Sequence, residues 1–309
     1  MSEFLAADIG GTNLRLARIK TGGHIADEMR VQVDFSQLAY ASSEAAEAHI
    51  IETIESAMGS LLIKNNIAGI GIGFPGFFTG NTGVLASSPN LPQLHDFALA
   101  ERLTNQLNIP VFVQNDALCA ALGEFRFGAA KDKLNLLHLT LGTGVGAGLI
   151  LAKKPYTGEH GMAMEFGHLC VVRDAQARAC GCGNRGCVES YASATAVAQR
   201  YAELTGVHGK ADAETIYRLA CQGDNKATRI LEEAGEYLGM AIAEAVKLLD
   251  VETVTISGGL TGAWDILHPR MIESLNRGLI PPLKEKIQIL RSTLDDYSGL
   301  LGAATIAGA

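Results

Sequence analysis

Residues 4–19 read FLAADIGGTNLRLARI, and this stretch decides the fold. Apolar and polar residues alternate on both sides of Gly10-Gly11-Thr12. That is the period-two pattern of two strands joined by a glycine turn. Glycine lets backbone N–H groups approach a phosphate without a Cβ in the way, and Thr12 adds a hydroxyl donor. Asp8 stands at the end of the first strand, where a carboxylate is suited to hold a magnesium ion through water. Asp8, Gly10, Gly11, Thr12 and Asn13 are therefore candidates for a phosphate and magnesium grip.

The device recurs further along the chain. Segments 136–141 and 147–151 read as strands flanking Gly142-Thr143-Gly144-Val145-Gly146, and a strand at 254–257 runs into Gly258-Gly259. The last pair would let an adenine or ribose lie against bare backbone. None of these is a Walker A motif, and no G-x-G-x-x-G opens a helix after a strand. One glycine turn is a common hairpin device. Its appearance in both halves, once after an aspartate, is what points to phosphate. Working outward, Ile50/Ile51, Ile54, Ala57/Met58 and Leu61/Leu62 set a helical period over 43–63. A short apolar strand at 67–74 leads to Pro75-Gly76, 97–107 reads as a helix, and a strand at 111–113 delivers Asn115-Asp116 ahead of a helix at 117–125. Helices follow at 192–204 and 227–249, and 299–309 is a helix of small residues. The result is two α/β halves with no linker between them, expected to hinge about a ligand cleft.

Composition narrows the class of function. The 309 residues are 48% hydrophobic, enough for a large core. A net charge of −8 argues against nucleic acid or an anionic membrane as a partner. The opening MSEFLAADIGGT has no positive segment ahead of an apolar one, so no secretory signal is read there. The uncharged stretch 134–152 has the length of a membrane span, yet four glycines, Asn135 and His138 make it two strands around a turn. A cytoplasmic location is expected.

Six cysteines do not make a disulfide framework in a chain of this length. Cys180, Cys182 and Cys187 fall within eight positions, and His168 lies upstream. Three sulfurs and one nitrogen suit tetrahedral, structural zinc. Cys119, Cys170 and Cys221 are scattered and expected as buried, small apolar residues. Gly76, Asn90, Asn115, Asp116, Glu165, His168 and Glu189 are further candidates for a ligand site. Glu165 and His168, three apart, share a face on a helical turn. Asn115-Asp116 is also a good helix N-cap.

Taken together, these motifs resemble the ROK family over nearly the whole chain. The residues that carry the likeness are Asp8-Ile9-Gly10-Gly11-Thr12, Gly73-Phe74-Pro75-Gly76, Pro89-Asn90-Leu91, Asn115-Asp116, Gly142-Thr143-Gly144, Glu165-Phe166-Gly167-His168, the cysteine segment from Cys180 to Glu189, and Gly258-Gly259. The resemblance implies an α/β, actin/hexokinase-type fold of two ribonuclease-H-like domains around a central cleft, here 1–117 with 295–309 and 118–294. It also implies a homodimer, ATP with Mg2+ on one side of the cleft, sugar on the other, and a structural Zn2+. By that likeness Asp116 is the base that takes the proton from the sugar 6-hydroxyl. Residues 187–193, CVESYAS, are most similar to the glucokinase branch, with N-acetylglucosamine or N-acetylmannosamine kinases as the alternative. A sugar-sensing repressor of the family would need a helix-turn-helix ahead of the first strand, and Asp8 leaves no room for one. One departure is Asn13, where many members carry Lys; Arg15 shares its strand face but lies further along.

Overall fold

The computed structural model describes residues 2–10, 13–33, 35, 38, 41–62, 66–88, 91–206 and 211–309. Gly11, Thr12 and Asn90 lie outside these. The chain divides into two compact units, Met1–Asp132 with Gly148–Ala163 and Asp296–Ala309, and Lys133–Ala147 with Met164–Asp295.

In the first unit the chain runs β1 (Glu3–Ile9), β2 (Asn13–Lys20), β3 (His24–Gln32), α1 (Ser43–Leu62), β4 (Ile67–Phe74), β5 (Phe77–Phe78), β6 (Leu85–Ser87), β7 (His95–Phe97), α2 (Leu99–Leu107), β8 (Val111–Asn115) and α3 (Asp116–Phe127). The main sheet has the order β3-β2-β1-β4-β8, and β5-β6-β7 form a small second sheet. β1 to β3 are antiparallel; β4 and β8 run parallel to β1. Alternation along the strands sorts the two faces. Leu5, Ala7 and Ile9 of β1 and Ile70, Ile72 and Phe74 of β4 join Ile50, Ile54 and Met58 of α1 and Leu99 and Leu103 of α2 in one buried core. The helix expected from residue 97 starts at Leu99 because Phe97 belongs to β7.

The opposite face of β4 is glycine. A Cβ on Gly71 would lie 1.7 Å from the Ala303 carbonyl oxygen, in the C-terminal helix Ser298–Ala307. A Cβ on Gly302 of that helix would lie 1.6 Å from the Cys119 carbonyl oxygen of α3. The helix, SGLLGAATIA, is thus laid backbone-to-backbone on strand and helix alike. Residues 118–132, expected in the other domain, fall in this unit because α3 packs along that helix.

The remaining elements are β9 (Leu136–Leu141), β10 (Val145–Leu151), β11 (Lys154–Pro155), α4 (Glu189–Ala192), α5 (Ala194–Thr205), α6 (Ala213–Cys221), α7 (Asn225–Leu249), β12 (Thr253–Ser257), α8 (Trp264–Gly278), β13 (Gln288–Arg291) and the C-terminal helix, α9. A third sheet, of five strands, has the order β11-β10-β9-β12-β13, and the division between the units runs within β10. β9, β12 and β13 are parallel. α7 and α8 pack closely, since Cβ atoms on Gly235 and Gly239 would each lie 2.3 Å from a carbonyl oxygen of α8. The helix expected at 192–204 is α5, which starts at Ala194 because Ser193 is extended after α4 and caps α5 through Oγ, which accepts from Ala196 N at 3.0 Å.

Candidate functional site

In the first unit the strand register assembles the site. Asp8 on β1 stands opposite Gly73 on β4, and Gly73 opposite Gln114 on β8. The three parallel strands therefore end in one row, and Asn115-Asp116 leave it into α3. Gly73 makes room between the two acids. A Cβ there would lie 3.5 Å from Asp8 Oδ1 and 3.5 Å from Asp116 Cα. Gly299, in the first turn of α9, makes room on the other side: its Cβ would lie 2.6 Å from Asp8 Oδ2.

Asn115 is the N-cap of α3, its Oδ1 accepting from Leu118 N at 3.0 Å. Its Nδ2 donates to the Gly76 carbonyl at 3.1 Å, which ties the Pro75-Gly76 turn to the strand end. Asp116 is the first helical residue rather than the cap, and its Oδ1 accepts the Ala117 N–H at 2.9 Å. Burial followed by the Asp116 charge pushes Asp8 up to about 7, and burial raises Asp116 against the pull of the Ala117 N–H. Arg15, the cross-strand partner of Asp8, draws Asp8 the other way. Its Nη1 donates to the Asp296 carbonyl, its guanidinium lies 5.2 Å from the Tyr297 ring centre, and its Nη2 is buried without a partner among the described residues. Two partly buried acids beside one another make a site that favours a cation.

In the second unit the two glycine segments meet at the ends of parallel strands. Thr140 on β9 pairs with Ser257 on β12. Gly258 then takes φ +95°, and a Cβ on it would lie 2.3 Å from the Leu141 carbonyl oxygen. Only glycine fits that approach. Gly142 N donates to the Gly144 carbonyl at 3.0 Å, closing the turn that includes Thr143. Glu189, at the start of α4, sits on this turn: its Oε2 accepts from Val145 N at 2.9 Å, and a Cβ on Gly144 would lie 2.4 Å from the same oxygen. Gly259 begins a short 3-10 turn, Gly259–Ala263. Beneath them His138 is fully buried between Thr255 Oγ1, at 2.8 Å, and Ser257 Oγ, at 3.0 Å. Burial pushes it down to about 3, so it is neutral, and it braces the strand that ends in Gly258.

The histidine and the three cysteines converge. Ligand atoms of His168, Cys180, Cys182 and Cys187 all lie within 4.8 Å of one another. Cys182 Sγ and Cys187 Sγ are 3.7 Å apart, and His168 Nδ1 is 3.6 Å from Cys180 Sγ. Tetrahedral zinc with arms of about 2.3 Å to sulfur and about 2.0 Å to nitrogen requires edges of about 3.8 and about 3.5 Å. The donor set and its spacing fit that ion. His168 ends the 3-10 turn Phe166–His168, which turns Nε2 to Glu165 Oε2 at 3.6 Å while Nδ1 faces the thiols. A ligating imidazole is commonly oriented by a carboxylate on its other nitrogen. Burial, and then the neighbouring thiols, push Cys187 up to about 12. Bringing three thiolates together therefore calls for a compensating cation.

Reading residues one at a time left three features unseen. The space around Asp8 is made by Gly73 and Gly299, far apart in sequence. The Arg15 contacts join residues 281 positions apart. Cys170 and Cys221 are exposed, against the expectation of buried apolar residues; Cys119 is buried as expected. Among the described residues no helix is long and apolar enough to cross a membrane.

Comparison with known proteins identifies the family and the fold. The ROK family profile matches residues 4–309. The glucokinase of Halalkalibacterium halodurans is 31% identical over 314 residues, 97% of this chain and 93% of that protein. An N-acetylmannosamine kinase of Yersinia pestis is 29% identical over 304 residues, 98% of each. The crystal structure of a ROK family glucokinase from Streptomyces griseus, in complex with glucose and AMPPNP, superposes with a TM-score of 0.84 at 28% identity, over 99% of both chains. The α/β, actin/hexokinase-type fold expected from the sequence is the fold of this chain. The chain belongs to the ROK family.

Proposed function

We propose that this chain is an ATP-dependent sugar kinase that transfers the γ-phosphate of ATP to the 6-hydroxyl of glucose or a closely related hexose. The observation that carries the reading is the approach of Asp8 and Asp116 across Gly73, two partly buried acids at the C-terminal ends of the parallel strands β1 and β8. Asp116, held by the Ala117 N–H at its own helix start, presents a carboxylate to accept the hydroxyl proton as the O–P bond forms. A loose phosphoryl-transfer transition state asks little of the base, so alignment supplies most of the rate. Magnesium, bound with ATP, would offset charge on the phosphates, and Asp8 is the residue to hold it through water. Asn115, pinned to Gly76, keeps Asp116 at the helix start.

Glu165, His168 and Glu189 are assigned to sugar hydroxyls, and Gly76 and Asn90 to the same ligand. Gly10, Gly11, Thr12 and Asn13 are assigned to nucleotide phosphate, as are Gly142, Thr143 and Gly144, with Gly258 and Gly259 toward the nucleoside. His168, Cys180, Cys182 and Cys187 would hold a structural zinc that fixes Glu189 and Glu165 relative to the cysteine loop. The glucokinase relatives favour glucose. The N-acetylmannosamine kinase relatives make an N-acetylated hexosamine the second reading. A homodimeric, cytoplasmic enzyme completes the proposal.

The test is a coupled ADP-release assay with ATP and magnesium across glucose, N-acetylglucosamine, N-acetylmannosamine, mannose, fructose and allose. Preferred turnover of glucose is the expected result, and preference for an N-acetylhexosamine selects the second reading. Silence on all six from folded protein overturns the kinase assignment for these sugars. Metal analysis of the purified protein should find about one zinc per chain.

A further inference from the structure

We propose that Cys170 is an oxidation site, which forms a disulfide with Cys187 and thereby takes one ligand out of the His168, Cys180, Cys182, Cys187 cluster. The inference rests on how two short strands meet. Cys170 and Cys187 face each other across an isolated antiparallel bridge. Val188 N donates to the Leu169 carbonyl at 2.9 Å and Val171 N to the Gly186 carbonyl at 2.8 Å. The flanking residues thus exchange the hydrogen bonds, and the cysteine pair between them is the non-hydrogen-bonded kind, with Cα atoms about 4.5 Å apart and side chains on one face. A disulfide spans Cα separations of about 4.4–6.8 Å. The backbone is already in bonding register, and rotation of a side chain is the movement left to make.

The register is held firmly. Gly186 takes φ +80°, and a Cβ on it would lie 1.8 Å from the Val172 carbonyl oxygen, so the strands approach as only glycine permits. Cys170 itself is exposed and outside the four-ligand set. Its thiol now points to the carbonyls of Val172, at 3.3 Å, and Arg185, at 3.6 Å. Cys187 is fully buried. An external oxidant therefore meets Cys170 first, and Cys187 resolves.

With a small-molecule disulfide such as oxidised glutathione the chemistry balances. The Cys170 thiolate attacks one sulfur, forming a mixed disulfide and expelling one glutathione thiolate. The Cys187 sulfur, giving up its proton or its place on the metal, then attacks the Cys170 sulfur and expels the second. Protons lost by the cysteines are taken up by the leaving thiolates. The protein pair is oxidised, glutathione disulfide is reduced, and a metal ion held by four ligands is left with three.

The test uses the whole protein, isolated with its metal, incubated with oxidised glutathione and digested without reduction. The expected product is a peptide pair joined through Cys170 and Cys187, with release of about one zinc per chain to a chromophoric chelator. Cys170→Ser should retain its zinc and its circular dichroism under the same treatment. A link between Cys182 and Cys187 or Cys180 and Cys182, at equal rates in the wild type and in Cys170→Ser, would overturn the proposal. So would glutathione left unresolved on Cys170. The peptide map reads the disulfide whether or not zinc is bound, so it stands apart from the metal assignment and from any kinase assay.

Discussion

Asp8→Asn should flatten the pH dependence of stability in this protein while it lowers turnover. In the unfolded chain Asp8 loses its proton near 3.8; in the folded chain burial and the Asp116 charge hold it to about 7. Between those values the native state carries the extra proton, so stability falls as pH rises. At about 1.4 kcal/mol per unit, the folded protein loses about 3 kcal/mol between about pH 5 and about pH 8 through this one group. Asparagine cannot titrate, and any fixed cost of its amide is the same at every pH. The difference in slope therefore isolates the carboxylate. Urea unfolding followed by circular dichroism at four pH values, on wild type and variant without nucleotide, is the measurement. Magnesium with a non-hydrolysable ATP analogue should flatten the wild-type slope as well, because a cation beside Asp8 favours its ionised form. Parallel slopes in wild type and variant would refute the argument, since Asp8 would then be an ordinary solvated acid.

Asp116→Asn keeps the shape at the start of α3 and removes the proton acceptor. Turnover should fall by about 10²-fold or more with the sugar KM within a few-fold, and an unchanged kcat would end the base assignment. Glu189→Gln retains an oxygen for the Val145 N–H but loses the charge; steady-state kinetics should show a raised sugar KM beside an unchanged ATP KM. Gly302→Ala places a Cβ 1.6 Å from the Cys119 carbonyl oxygen, and the cost, about 3 kcal/mol, exceeds the helix-propensity gain of about 1 kcal/mol. Calorimetry should register the lower melting temperature, and a variant as stable as wild type would show that α9 can shift away from α3.

Much of this was legible in the sequence because local patterns carried it. The alternation in 4–19, the glycine turns and the cysteine spacing each state their structure within a few residues. β12 and α9 came out within a residue or two of their expected bounds for the same reason. What was hidden depends on register between distant strands. That Asp8 and Asp116 end up on either side of Gly73 follows from the pairing of β1, β4 and β8, which no local pattern encodes. Glu189 was read as a sugar ligand, and nothing in the segment around it announces the Val145 N–H, 44 positions away. Cys170 looked incidental because its partner is defined by a two-residue bridge too short to leave a period.

The glycines of β4 explain why the acid at Asp8 behaves unlike an exposed one. In IAGIGIGF the isoleucines and phenylalanine join the α1 core, Gly69 and Gly71 face α9, and Gly73 faces Asp8 and α3. Read as a strand alone, the segment is apolar on both sides. Read with α9, its bare face lets a helix of small residues come close enough for Gly299 to touch the Asp8 carboxylate. That approach strips water from Asp8, which raises its pKa. Asp116 raises it further and Arg15 lowers it. The carboxylate is thus balanced near neutrality by groups fixed through backbone contact, where a bound cation has the largest effect on its charge. Had β4 carried valines in place of those glycines, α9 would stand off, Asp8 would be hydrated, and the arrival of a cation would change little.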